Sequence, residues 1–108
     1  MEYFKLYNGV EIPAIGSGTN NFGRSDSDNY DSALNGDFSA MESALEAGYR
    51  MFDTAMIYGN EDGIGACLKK SGIARGEFFI MGKIPNQSPY NDDMKSVRES
   101  VESSLKNL

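Results

Sequence analysis

Phe78 to Ile84, FFIMGKI, is apolar at nearly every position, and that run restricts the fold more than any other feature of the chain. A strand with one wet face alternates apolar and polar residues. A continuous run belongs to a strand covered by helices on both faces or enclosed in a barrel. Tyr49 to Ala55 reads as a second strand, ending at Asp53-Thr54-Ala55, and Ala14 to Thr19, AIGSGT, as a buried strand that runs into a loop. The glycines of AIGSGT let the backbone come close to something else, either a neighbouring strand or a ligand.

Helical patterns alternate with these strands. Ser39 with Glu42 three residues on has the spacing of a reciprocal capping box, ahead of Met41, Ala44 and Leu45, and Gly48 is placed to end that helix. Asn60 reads as the N-cap of a second helix, with Glu61 and Asp62 in its first turn, Lys69 and Lys70 in its last, and Gly72 beyond. Ile64, Cys67 and Leu68 form its buried stripe. Asn91, Asp92 and Asp93 start a third helix with apolar positions Met94, Val97, Val101, Leu105 and Leu108. Ahead of all of this, Tyr3 to Tyr7 and Val10 to Pro13 flank Asn8-Gly9, the dipeptide of a two-residue hairpin turn. The segment from Asn20 to Asp37 is a polar loop with a helical turn expected near Tyr30 to Leu34. Its Asp26 and Asp28 have calcium-loop spacing, but no glycine and distal glutamate follow at the required offsets.

A hairpin followed by strand and helix three times over predicts the α/β class, with parallel strands joined by crossover helices, in one domain. Three parallel strands leave two apolar edges unpaired, and an exposed edge is a template for association. A closed (β/α)8 TIM barrel of about 250 residues covers such edges. The expectation is a partial barrel, with self-association if the 108 residues are the whole molecule.

Composition narrows the chemistry. With 10 Lys plus Arg against 16 Asp plus Glu, the chain carries a net charge of −6 and has no basic cluster, so neither nucleic acid nor an anionic membrane is an expected partner. The sequence contains no His, which removes imidazole acid–base chemistry and His-metal sites from this chain, and one cysteine, Cys67, is too few for a disulfide or a zinc site; no metal is expected. Neither a signal sequence nor a long uncharged apolar stretch is present, so a reducing, cytoplasmic setting is expected.

In βα architectures reactive groups gather at the C-terminal ends of strands. Asp53 ends one strand, Tyr58 follows five residues later, and Lys83 ends the next strand. An ammonium close to a phenol stabilises the phenolate and makes the phenol a usable proton donor, which suits carbonyl reduction, where a hydride reaches carbon and the oxygen takes a proton. Taken singly, each residue has a plain alternative: a turn cap for Asp53, a loop aromatic for Tyr58, a snorkelling strand-end cation for Lys83.

The sequence around them adds weight. GYRMFDTAMIYGNEDGIG, Gly48 to Gly65, closely resembles the N-terminal signature of the aldo-keto reductases. LYNGVEIPAIGSGT resembles that family's opening, LKKSGIARGEFFIMGKI the lead into its catalytic lysine, and SVRESVESSLKNL its third barrel helix. The resemblance implies a (β/α)8 barrel that reduces aldehydes and ketones with NADP(H), residues 1–108 forming its N-terminal portion with no second domain. It makes Tyr58 the proton donor, Lys83 the group that eases loss of its proton, and Asp53 the holder of the Lys83 ammonium. It also places Gly18, Thr19 and Asn20, with Asp53, beside the nicotinamide, and a small carbonyl compound as substrate. The family's tetrad histidine would come just past Leu108, and the adenosine-phosphate site belongs to its second half, so the chain alone is expected to be inactive. Asn20 and Pro85 stand where members often carry aromatic residues. The other reading is a non-catalytic or truncated relative serving as a binding or assembly module. A dinucleotide-binding Rossmann unit fits poorly, since Gly16-x-Gly18 lacks a third glycine at Asn21.

Overall fold

A computed structural model describes residues 2–26, 28–29 and 31–108. Strands β1 (Tyr3–Lys5) and β2 (Glu11–Pro13) pair antiparallel with Phe4 opposite Ile12. Their connection is longer than the two-residue turn expected from Asn8-Gly9. The Gly9 N–H donates to the Leu6 carbonyl at 2.9 Å, and Gly9 has φ +87° while no non-glycine residue among those described has positive φ. Asn8 therefore occupies an ordinary turn position and Gly9 alone takes the left-handed one, a three-residue loop ending in a bulge.

Strands β3 (Ser17–Gly18), β4 (Met51–Asp53) and β5 (Phe79–Met81) form a parallel sheet in that order, Gly18 opposite Asp53 and Asp53 opposite Met81. Helices α1 (Ser39–Glu46), α2 (Glu61–Lys70) and α3 (Met94–Asn107) follow the three strands in turn. The architecture is the α/β partial barrel expected, with each strand shorter than its apolar run. Phe22, Met41, Leu45, Phe52, Ile64, Cys67, Leu68 and Phe78 make the core between sheet and helices. Gly16 permits the close approach of β3 to β4: a Cβ there would lie 2.7 Å from the Met51 side chain.

Two local expectations are corrected. Ser39 and Glu42 do not form a capping box. Phe38 is the N-cap with no side-chain bond, the Ser39 N–H donates to Asp37 Oδ1, and Glu42 instead pairs with Lys70 at 3.1 Å. Phe38 is held there by its ring, which packs over Gly23 and Gly63 so closely that a Cβ would come within 2.8 and 2.1 Å of it. The β5 run is covered on one side only. Phe78 is buried, while Met81 is 41% exposed, because no further strand or helix lies against that edge among the described residues. On α3, which packs against α2, Leu108 meets the core and Val97 is half-buried, while Met94 and Leu105 are 76% and 70% exposed and Ser100 is the buried position. Small residues allow that crossing, since a Cβ on Gly65 of α2 would fall 1.7 Å from the Asn107 carbonyl oxygen of α3. Ser104 there donates to the buried Glu61 Oε1 at 3.1 Å.

Other expectations match. The Gly48 N–H donates to the Leu45 carbonyl and the Tyr49 N–H to that of Ala44, a Schellman ending with Gly48 at φ +99°. Asp93 caps α3 by accepting from the Ser96 N–H at 2.7 Å, which holds its carboxyl below the ordinary carboxylate range. Tyr30, the start of the helical turn expected near Tyr30 to Leu34, lies outside the described residues. From Gly23 to Asn35 the chain doubles back on itself, with an antiparallel bridge between Arg24 and Leu34.

Candidate active site

The parallel register decides which side chains meet. Past the end of β5 the backbone keeps bonding to its neighbour, the Thr54 N–H donating to the Met81 carbonyl at 2.8 Å and the Met56 N–H to the Lys83 carbonyl at 3.2 Å. That continuation carries Lys83 beside the end of β4. Its ammonium forms an ion pair with Asp53 Oδ1, both side chains being about half exposed at 50% and 45%. The same ammonium lies over the Tyr58 ring, 5.3 Å from its centroid. The hydrogen bond to Asp53 raises the Lys83 pKa above its ordinary value, and attraction to the Tyr58 phenol adds a smaller push in the same direction. The lysine is a cation throughout the neutral range.

Tyr58 is placed by a single 3-10 turn, Met56–Tyr58, between β4 and α2. Gly59, at φ +73°, closes the turn, its N–H donating to the Met56 carbonyl at 3.1 Å. Asp53, Tyr58 and Lys83, 30 residues apart at the extremes, thus form one cluster at the C-terminal ends of β4 and β5, an electropositive nitrogen against a phenol with a carboxylate fixing it.

Gly18, Thr19 and Asn20 leave β3 beside this cluster. Gly18 pairs with Asp53 in the sheet, and a Cβ on it would meet nothing within 4 Å, so its outward side is open. Thr19 is fully buried. Its N–H and hydroxyl both donate to the Asp53 carbonyl, at 3.1 and 3.0 Å, which turns the side chain inward and leaves main chain to line the opening. An open glycine next to a strand-end carboxylate fits a flat ring laid across the strand ends, the approach that a bulkier residue would obstruct.

Two residues matter more here than their sequence positions suggested. Asn60 does occupy the N-cap position of α2, but its side chain makes no capping bond; it is fully buried and donates to the carbonyls of Thr19 at 2.8 Å and Phe22 at 3.0 Å. It fastens the loop after β3 to the residue two beyond Tyr58. Arg24, in the polar loop from Asn20 to Asp37, donates to the Asn20, Ser32 and Tyr58 carbonyls. No local pattern signals a side chain whose partners are main-chain oxygens 34 to 41 residues away. Among the described residues no cluster of three or more potential metal ligands occurs, and no helix is long and apolar enough to cross a membrane.

Comparison with known proteins adds the family context. Residues 14–108 match the model of the family described as Aldo/keto reductase family. Methylglyoxal reductase DkgA of Yersinia pestis is 36% identical over 104 residues, which are 96% of this chain and 32% of that protein. Glyoxal reductase of Bacillus subtilis is 37% identical over 99 residues, 91% of this chain and 33% of that one. Among solved structures, an aldo-keto reductase from a Medee basin deep-sea metagenome library superposes with TM-score 0.75 at 39% identity, covering 96% of this chain and 34% of that one. The Bombyx mori aldo-keto reductase in complex with NADP gives TM-score 0.78 at 27% identity, covering 99% and 34%. The chain spans about a third of the length of these relatives.

Proposed function

This chain belongs to the aldo/keto reductase family, and from that premise we propose that it carries the proton-donating side of an NADPH-dependent carbonyl reductase, Tyr58 donating to the carbonyl oxygen. The observation that carries this reading is the Lys83 ammonium, tied to Asp53 and lying 5.3 Å from the centre of the Tyr58 ring. A phenol losing its proton spreads negative charge over oxygen and ring, and a fixed cation against that ring stabilises the charge as it develops. Asp53 keeps the lysine charged and aimed, so the cation need not reorganise during the reaction. The main chain of Gly18, Thr19 and Asn20, with Asp53, would hold the nicotinamide, which when bound supplies the hydride.

Small, polar dicarbonyl compounds such as methylglyoxal and glyoxal are the substrates we assign, following the names of the relatives. Asn20 beside the opening and Asn86-Gln87 after Lys83 are consistent with this, because a compact, electrophilic carbonyl needs little apolar wall. The test is a chimera of residues 1–108 with the remaining two-thirds of the Bacillus subtilis glyoxal reductase, followed by methylglyoxal-dependent NADPH oxidation. Tyr58→Phe should lower turnover by about 10² to 10⁴, the usual worth of a positioned acid. Full activity in that variant would end the assignment.

A second reading, a non-catalytic binding or assembly module, is favoured by the apolar surface left in water: Phe4 is 61% exposed and Tyr7 fully so, besides Met94 and Leu105.

A further inference from the structure

Tyr58 is weakly held by its own turn. One 3-10 turn closed by two main-chain bonds is marginal by itself, and Ile57 within it is exposed. Something outside the turn must fix the phenol over the ammonium.

Arg24 supplies that hold. Its Nε donates to the Asn20 carbonyl at 3.1 Å, Nη1 to the Ser32 carbonyl at 3.3 Å and Nη2 to the Tyr58 carbonyl. No ion pair to Arg24 is present among the described residues. A permanent cation thus commits its planar fork to three main-chain oxygens from three segments, a task for which a guanidinium is suited and an ammonium is not.

The two arms of the segment it anchors are bonded to each other. The Ser25 N–H donates to the Ala33 carbonyl at 2.8 Å and the Asn35 N–H to the Gly23 carbonyl at 2.7 Å. Leu34 lies beside Gly59, 3.5 Å from where a Cβ would stand, and Phe38 packs across Gly23 and Gly63. The excursion between β3 and α1 therefore packs against residues that follow Tyr58, Asn60 ties its start to the same stretch, and Arg24 is the polar link to Tyr58 itself.

We propose that Arg24 is a positioning residue for Tyr58: by gripping the Tyr58 carbonyl together with those of Asn20 and Ser32, it holds the ring over the Lys83 ammonium and couples the acidic excursion to the site. Its meaning for catalysis rests on the reading of Tyr58 as proton donor. A purely structural role would be to keep residues 20–36 folded and nothing more.

Carbon NMR of the 108-residue chain labelled at tyrosine Cζ separates the two, with the Tyr58 signal assigned from Tyr58→Phe. In the parent chain Lys83→Met should displace the Tyr58 signal, since the ring loses a cation 5.3 Å from its centre. In an Arg24→Gln background that displacement should fall to less than half, and exchange of the Gly59 amide hydrogen should quicken about tenfold or more, as expected when a charge-assisted tether is lost. The amides of α2 should keep their protection. Arg24→Lys, which retains the charge without the fork, should lie between parent and Arg24→Gln. If Arg24→Gln loses α2 protection, and so has unfolded, Arg24→Lys carries the test by the same two readings. An unchanged Lys83→Met displacement in the folded Arg24 variant, with faster exchange confined to residues 20–36, overturns the proposal. Neither reading uses turnover, so an active Tyr58→Phe chimera would remove the donor role while leaving the placement result standing.

Discussion

Asn60 offers a sharp test of the polar framework behind the site, because chemistry and volume predict opposite outcomes there. The side chain is fully buried, and both amide hydrogens are spent on carbonyls, at 2.8 Å to Thr19 and 3.0 Å to Phe22. Its Oδ1 has no partner among the described residues. Asn60→Ala removes two neutral hydrogen bonds, roughly 0.5–1.5 kcal/mol each. The Thr19 carbonyl still accepts the Phe22 N–H at 3.0 Å, which softens one loss, and disposal of the orphaned oxygen returns part of the other. The cavity left by the truncation offsets those reductions, so a destabilisation of about 1–3 kcal/mol follows. Asn60→Asp keeps the volume but turns the donating nitrogen into an acceptor facing two acceptors, at a fully buried position whose hydrogen-bond partners among the described residues are both carbonyls. It must bury an unpaired charge or take up a proton, at about 3 kcal/mol or more. Equilibrium urea unfolding followed by circular dichroism should rank the chain as Asn, then Ala, then Asp, with little change in the denaturant slope. Packing alone would rank the isosteric Asp above the cavity-forming Ala. An Asp variant at neutral pH as stable as the Ala variant would refute the reasoning.

Two further outcomes are expected. Cys67 is buried against α1, and burial first, with the Glu42 charge second, raises its pKa above the ordinary thiol value despite the opposing Lys70; the thiol is therefore protonated at pH 8, and iodoacetamide should label the folded chain at least about tenfold more slowly than the urea-unfolded one, equal rates contradicting this placement. Sedimentation velocity should show self-association driven by the apolar surface that includes Leu105, and Leu105→Glu should shift the chain towards monomer with little effect on the unfolding midpoint, since that side chain is 70% exposed; a well-folded parent monomer at all concentrations would contradict this.

What could be read from the residues follows the range of the interactions involved. The order of hairpin, strands and helices, the Schellman ending at Gly48 and the Asp93 cap depend on contacts within five residues, and each appears where the pattern puts it. The meeting of Asp53, Tyr58 and Lys83 needed one additional premise, that successive strands are parallel neighbours. The misreadings arise where a distant partner outbids a local one. Glu42 has the spacing to cap its own helix but bonds Lys70, and Phe38 displaces Ser39 from the N-cap because its ring is wedged between Gly23 and Gly63. Met94 and Leu105 of α3 stay exposed for a related reason. Periodicity shows that a helix has an apolar side, but the α2 contact is decided by how close two backbones can come, with Gly65 against the Asn107 carbonyl and Ser104 against Glu61.

The same division explains how so small a sheet can present three polar side chains in a defined arrangement. Thr19 and Asn60 are buried and direct their donors at main chain, where a misplaced donor is costly, so they hold the loop after β3 and the end of β4 in one relation. Asp53 belongs to both levels. Its carbonyl receives the N–H and hydroxyl of Thr19, which fixes the strand end, while its carboxylate remains half exposed and free to take Lys83. An exposed ion pair of this kind adds at most about 1 kcal/mol to stability, so its geometry cannot be what folds the chain. The buried amide and hydroxyl set the frame, and the surface charges are thereby placed at little energetic cost where the proton transfer proposed above would use them.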